Sequence, residues 1–224
     1  MLYNAEMKVK ICGIRNKQDL DVAVNAGADA LGFLVGLTHF SEDVLAPREA
    51  LKLIETVPPF VTPVLVTHYT LAKKVISLSR YLGVQTIQLH SDISLNELAK
   101  IRETLKRHIL IKAIHVEDGV SVDSLKTQLT DYIVLVNAFV MDSRTKERLG
   151  GTGETHDWNK SAELVKFSRK PIILAGGLNP TNVRAAIAQV QPYAVDVNSG
   201  VEKIDGNKDF DLCNAFVEQA RSGS

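Results

Sequence analysis

The sequence predicts a single (β/α)8 barrel domain, the TIM-barrel class, spanning residues 1–224. Three observations carry that reading. Eight short runs rich in Val, Ile and Leu alternate with eight longer segments of helical period, the order of parallel strands joined by helical crossovers. The runs are continuously apolar, as in strands covered on both faces. Eight such units fit the 224 residues of the chain as a compact barrel. A doubly wound open sheet is the structural rival, but the first strand runs into KICGIR without the GxGxxG that usually follows it there.

The elements follow in order. The first strand is Lys8–Cys12, and Lys17–Ala26 has helical period behind it. Ala30–Val35 and Pro47–Thr56 form the second unit, Val61–Thr67 and Thr70–Leu82 the third. Thr86–His90 precedes helical Ser94–Lys106, and Ile109–His115 precedes Val120–Ile133. The sixth strand is Ala138–Asp142, separated by a charged, glycine-bearing segment from helical Asn159–Ser168. Pro171–Ala175 with Asn179–Gln189 and Ala194–Asn198 with Asp209–Ala220 complete the set. No linker, low-complexity tract or charge block divides the chain.

Composition narrows the function. Formal net charge is zero, so no bulk charge recruits nucleic acid or an anionic membrane. A small-molecule partner is expected instead. The two cysteines, Cys12 and Cys213, lie at opposite ends of the chain and belong to no CxxC pair, so neither a disulfide scaffold nor a zinc ribbon is indicated. The N-terminus MLYNAEMKVK lacks a signal-peptide core and no apolar run reaches membrane-spanning length. These features predict a cytoplasmic protein.

In this fold the active site forms at the C-terminal ends of the strands. Those positions carry Cys12, His68, His90, His115, Asp142, Gly176-Gly177 and Asn198-Ser199-Gly200. The last two strands end in LAGGLNP and DVNSGVE, and glycines there let backbone N–H groups approach an anion. A phosphate site after strands seven and eight is the expectation, with Gly151 and Gly153 of GGTG adding donors. Cys12 reads either as a buried thiol or as a nucleophile or base, which needs a positive neighbour to ionise it from an ordinary pKa of about 8.5. Arg15 is such a candidate in sequence. Cys213 sits in the apolar pattern of the last helix and reads as core. The three histidines could converge on zinc, but the first strand lacks the HxH of a metal-dependent barrel hydrolase. They read as cavity-lining residues, with no metal expected. On the residues alone, either Asn137 or Asp142 could supply the polar end of strand six.

KICGIR, GADALGF, QLH, a strand-end Asp before GGTG-x-x-x-DW, LAGGLNP-x-N and VDVNSGVE occur in that order across nearly the whole chain. The ordered set closely resembles the phosphoribosylanthranilate isomerases of the tryptophan pathway. The resemblance implies a cofactor-free Amadori rearrangement of an aminoribose phosphate, with Cys12 as general base and a strand-six Asp as general acid. It implies a phosphosugar substrate bound through Gly151, Gly153, Gly176, Gly177, Asn198, Ser199 and Gly200, with Arg15 and His90 as pocket candidates. Nothing in it implies a nucleic-acid or membrane partner, and the chain is expected to be a monomer or a homodimer.

Matching FVMDS to the family's LLDS makes Asp142 the acid and leaves YIVLVNA as helix end and lead-in to the strand. Matching LVNA to LLDA would instead put Asn137 there and strand the run Ala138–Met141 in a loop. Asp142 is therefore expected. The resemblance departs between strand two and helix two. Where the family carries an Arg that reads the anthranilate carboxylate, this chain has Asp43 within GLTHFSEDVLAPREA. Arg15, Arg48 and Arg144 are the cations that could replace it.

Overall fold

Eight parallel strands close into a barrel in sequence order, the last pairing with the first. The structure, a computed structural model, describes residues 6–37, 42–117, 119–143 and 157–222. The strands are β1 (Lys8–Ile11), β2 (Ala30–Leu34), β3 (Thr62–Thr67), β4 (Thr86–Leu89), β5 (Ile109–Val116), β6 (Ala138–Ser143), β7 (Ile172–Leu174) and β8 (Ala194–Val197). The helices between and after them are α1 (Lys17–Asn25), α2 (Pro47–Ile54), α3 (Ala72–Leu82), α4 (Leu95–Thr104), α5 (Val122–Tyr132), α6 (Trp158–Phe167), α7 (Val183–Val190) and α8 (Phe210–Ser222). A single 3-10 turn, Ser199–Val201, follows β8.

Alternation along each strand divides the core in two. Outward residues such as Ile11, Leu31, Phe33, Leu65, Ile87, Leu89, Phe139 and Leu174 are fully buried against the helical layer. Inward residues, among them Leu34, Val64, Val66, Ile111, Val140 and Ile173, fill the barrel itself. Burying each such side chain contributes about 1.5–3 kcal/mol relative to exposure. Four helices begin where a side chain satisfies one of their first N–H groups: Asn16 caps α1, Ser94 caps α4, Ser121 caps α5 and Asp157 caps α6.

Most element ends shift by one or two residues from the sequence expectation, and the largest shift is at α7. Helix α7 starts at Val183 rather than Asn179, because Asn179 and Asn182 build a turn first. Asn182 Oδ1 accepts from the Asn179 N–H at 2.8 Å, and Asn179 Oδ1 accepts from the Thr181 N–H at 2.9 Å, a local alternative to helix that these residues favour. Helix α5 runs Val122–Tyr132, ending one residue before the expected Ile133. There the Leu135 N–H returns to the Tyr132 carbonyl as a turn, and the Leu135 carbonyl accepts from Arg102 Nε at 2.8 Å.

Candidate active site

Cys12 follows β1 and its backbone N–H donates to the Val197 carbonyl of β8 at 2.8 Å. Its inward thiol lies against β2 at Gly32, where an added Cβ would come within 2.5 Å of Sγ. Only glycine permits that approach. Two residues earlier on the same face is Lys10, whose ammonium donates to Asp196 Oδ2 at 2.7 Å, each side chain 5% exposed. Burial disfavours the Lys10 ammonium, but the adjacent carboxylate and thiol outweigh it and hold its pKa above the ordinary value. Burial pushes the Cys12 thiol up to about 11, against the opposing pull of Lys10. The cations that act on Cys12 are thus Lys10 first and Lys208 more weakly. Asp196 Oδ1 is buried with no hydrogen-bond partner.

Asp142 lies on β6 in register with His115 of β5. Its Oδ2 is 3.1 Å from His90 Nε2, each side chain 14% exposed. The other ring nitrogen of His90, Nδ1, is 3.2 Å from the Gln88 amide nitrogen. His68 stacks on His90 with ring centroids 5.5 Å apart, and His115 meets it edge-on at 5.1 Å. His90 and His115 therefore gather around the Asp142 carboxylate, with His68 stacked behind His90. Asn137 is elsewhere. It precedes β6 at the opposite end of the barrel, where its Oδ1 accepts from the Leu110 N–H at 2.9 Å and from Arg102 Nη2 at 2.6 Å.

The turns after β7 and β8 come together. Gly176 and Gly177 both hold positive φ, and Asn182 Nδ2 donates to the Gly177 carbonyl at 2.9 Å. A Cβ on Gly200 would sit 2.0 Å from the Leu178 carbonyl oxygen, so a side chain there would force the two turns apart. Ser199 and Gly200 open the 3-10 turn, whose leading N–H groups have no partner within the turn. Beside them is the fully buried ammonium of Lys208, which donates to Asn198 Oδ1 and to Glu202 Oε1, both at 2.6 Å. The Asn198 amide donates in turn to Asp43 Oδ2 at 2.8 Å. Asp43 thus sits at the mouth of the barrel beside β8. Arg15 bridges loops: it donates to the Asp205 carbonyl and to Asn207 Oδ1, and its Nε lies 3.7 Å from Asp19 and 4.0 Å from Asp43. Arg48 is exposed on the first turn of α2. Gly151, Gly153 and Arg144 lie outside the described residues.

Sequence reading passes over Lys10, Gln88, Asp196 and Lys208. Strand alternation was an available signal for three of them, since Lys10 shares a face with Cys12, Gln88 with His90 and Asp196 with Asn198. Lys208 had no comparable signal, because it lies between elements and is buried only by the loop packing.

The chain as a whole has counterparts among known proteins. The family described as N-(5'-phosphoribosyl)anthranilate (PRA) isomerase matches residues 9–219. The N-(5'-phosphoribosyl)anthranilate isomerase 2 of Methanosarcina mazei is 37% identical over 218 residues, covering 96% of this chain and 95% of that protein. The crystal structure of the phosphoribosyl anthranilate isomerase of Thermotoga maritima superposes with a TM-score of 0.82 at 35% identity, covering 96% and 99% of the two chains. A phosphoribosyl anthranilate isomerase in complex with reduced 1-(o-carboxyphenylamino)-1-deoxyribulose 5-phosphate gives a TM-score of 0.79 at 33% identity, covering 96% and 99%.

Proposed function

The chain belongs to the N-(5'-phosphoribosyl)anthranilate isomerase family and is an isomerase, and we propose that it works on that substrate through Cys12 as general base and Asp142 as general acid. The product is 1-(2-carboxyphenylamino)-1-deoxyribulose 5-phosphate, an aldose-to-ketose change that needs no cofactor.

Asp142 gives a proton to the furanose ring oxygen. The C1′–O bond breaks, and the anilino nitrogen's electron pair forms a C1′=N Schiff base. The Cys12 thiolate then removes the C2′ proton, and the electrons of that C–H bond make the enol-amine. Reprotonation at C1′ and loss of the 2′-hydroxyl proton give the ketone, so the atoms balance. Strands β6 and β1 stand three places apart around the closed barrel (β6–β7–β8–β1), which lets the two groups work on a substrate held between them. A positioned acid or base of this kind contributes roughly 10²–10⁴-fold in rate.

The phosphate is read by the backbone of Gly176-Gly177 and Ser199-Gly200, with the Lys208 ammonium close behind. The Asn198 side chain is already engaged by Lys208 and Asp43, so its contribution is through the main chain. Gly151 and Gly153, outside the described residues, are the further phosphate donors that the reading includes. Among the described cations near the mouth, Arg15 is the one beside Asp43, and it is the proposed reader of the anthranilate carboxylate. His90, in contact with Asp142, lines the aglycone side.

The single observation that carries the assignment is the pairing of β1 and β6 strand-end groups, Cys12 above the Lys10–Asp196 pair and Asp142 against His90. Purified protein is expected to extinguish the fluorescence of N-(5-phosphoribosyl)anthranilate. Full turnover in both Cys12→Ala and Asp142→Asn variants would overturn the roles given to them.

A further inference from the structure

We propose that His90, His115 and Asp142 form a binding site for a divalent transition ion of the zinc class, and that filling it switches the isomerase off. The reaction itself stays free of metal. The inhibitory half rests on the reading of Asp142 as the acid.

The donor set comes first. One ligand atom from each of the three residues lies within 4.8 Å of the other two. The His90 Nε2 to Asp142 Oδ2 separation is 3.1 Å. Ligands at about 2.0–2.1 Å from a tetrahedral zinc stand roughly 3.3 Å apart, so that pair is already at ligand spacing. A modest rotation of the His115 ring, which meets His90 edge-on at 5.1 Å, completes the face. Two imidazoles and a carboxylate suit zinc, cobalt or iron(II) over magnesium or calcium. A fourth position is left to water.

Gln88 is the second, independent observation. A ligating imidazole almost always donates its other N–H to an acceptor that fixes its tautomer. Gln88 is 2% exposed and its amide lies 3.2 Å from His90 Nδ1, while its Oε1 is buried without a hydrogen-bond partner. Half a turn of the amide exchanges its nitrogen and oxygen, which are nearly isosteric. Oε1 then accepts from Nδ1–H, and the lone pair of Nε2 points toward Asp142 and the ion. The arrangement that satisfies the orphaned oxygen is the one that makes His90 a ligand.

A cavity of about 210 Å³ reaches His115 and is lined by the acids Asp92 and Glu117 together with Lys112 and Gln128. Lys112 is turned to the Ala113 carbonyl and over the Tyr132 ring. An ion bound at the proposed site would occupy Asp142 Oδ2 and exclude it from proton transfer to the sugar.

The test is titration of the metal-free protein with cobalt(II), read by ligand-field absorption, with zinc(II) as competitor. One saturable ion per chain that zinc displaces is expected, and both His115→Ala and Asp142→Asn should abolish it. Gln88→Leu should weaken it by about 10–100-fold. Circular dichroism of each variant separates loss of the site from loss of the fold. An unsaturable response, or undiminished binding in folded His115→Ala and Asp142→Asn proteins, would overturn the site. In the isomerase assay, zinc should inhibit at the concentrations that fill the site, and a chelator should restore turnover. Saturated protein with full turnover would uphold the site and instead overturn Asp142 as the acid.

Discussion

Lys10 Nζ donates to Asp196 Oδ2 at 2.7 Å inside the barrel, joining β1 to β8 one layer beneath Cys12. Removing one partner of a buried ion pair leaves an uncompensated charge, which costs about 3–5 kcal/mol. Lys10→Met is expected to lose stability on that scale in urea unfolding, whereas Lys10→Met/Asp196→Leu should lose much less than the two single changes added. A simple sum would show that the two groups act independently.

The same pair governs the Cys12 thiol. Burial pushes it up to about 11 from 9.0 while Lys10 pulls it down. The rate of alkylation of Cys12 by iodoacetamide should therefore keep rising with pH past 9.0 and reach half its maximum at about 11, and Lys10→Met should move that rise to still higher pH. With Cys12 as the base of the free enzyme, kcat/KM should follow the same alkaline limb. Stability runs the other way. Between 9.0 and about 11 the unfolded chain has lost a proton that the folded chain keeps, so unfolding free energy should fall as pH rises through that window. A flat alkylation profile there would contradict the burial of the thiol.

Asn137 and Asp142 should separate cleanly by experiment. Asn137→Ala removes the acceptor for the Leu110 N–H and for Arg102, so it should cost about 1–3 kcal/mol of stability with turnover little changed. Asp142→Asn should lower kcat by about 10²–10⁴-fold while the protein stays folded. Melting curves and initial rates on both variants decide between the two.

Gly200→Ala tests the contact between the last two turns. Its Cβ would meet the Leu178 carbonyl oxygen at 2.0 Å and Asn179 Cβ at 3.1 Å, so the turns must move apart. A loss of about 1–3 kcal/mol is expected from the overpacking, with a rise in KM exceeding any fall in kcat because the phosphate N–H groups are displaced. Unchanged KM would remove these turns from substrate binding.

The sequence by itself determined the barrel, its eight units and the strand ends at which polar residues gather. Each of those follows from local pattern: apolar runs too short for helices, helical period between them, and polar residues where the runs stop. Choosing Asp142 over Asn137 as the strand-six acid took the family resemblance together with the apolar run Ala138–Met141, since the residues alone left both open. Ends of elements were less legible, as at α7, where the Asn179–Asn182 turn takes up backbone groups that helix would otherwise use.

The rest was decided only by tertiary structure. Strand alternation could place Lys10 beneath Cys12, but nothing local says that Asp196, far along the chain, closes against it when β8 pairs with β1. The contact of His90 with Asp142, the burial of Lys208 behind Asn198, and the place of Asp43 beside Asn198 are likewise products of closure. Which charges meet in a barrel depends on register and on loops folding over one another, and those are set by packing across the whole sheet.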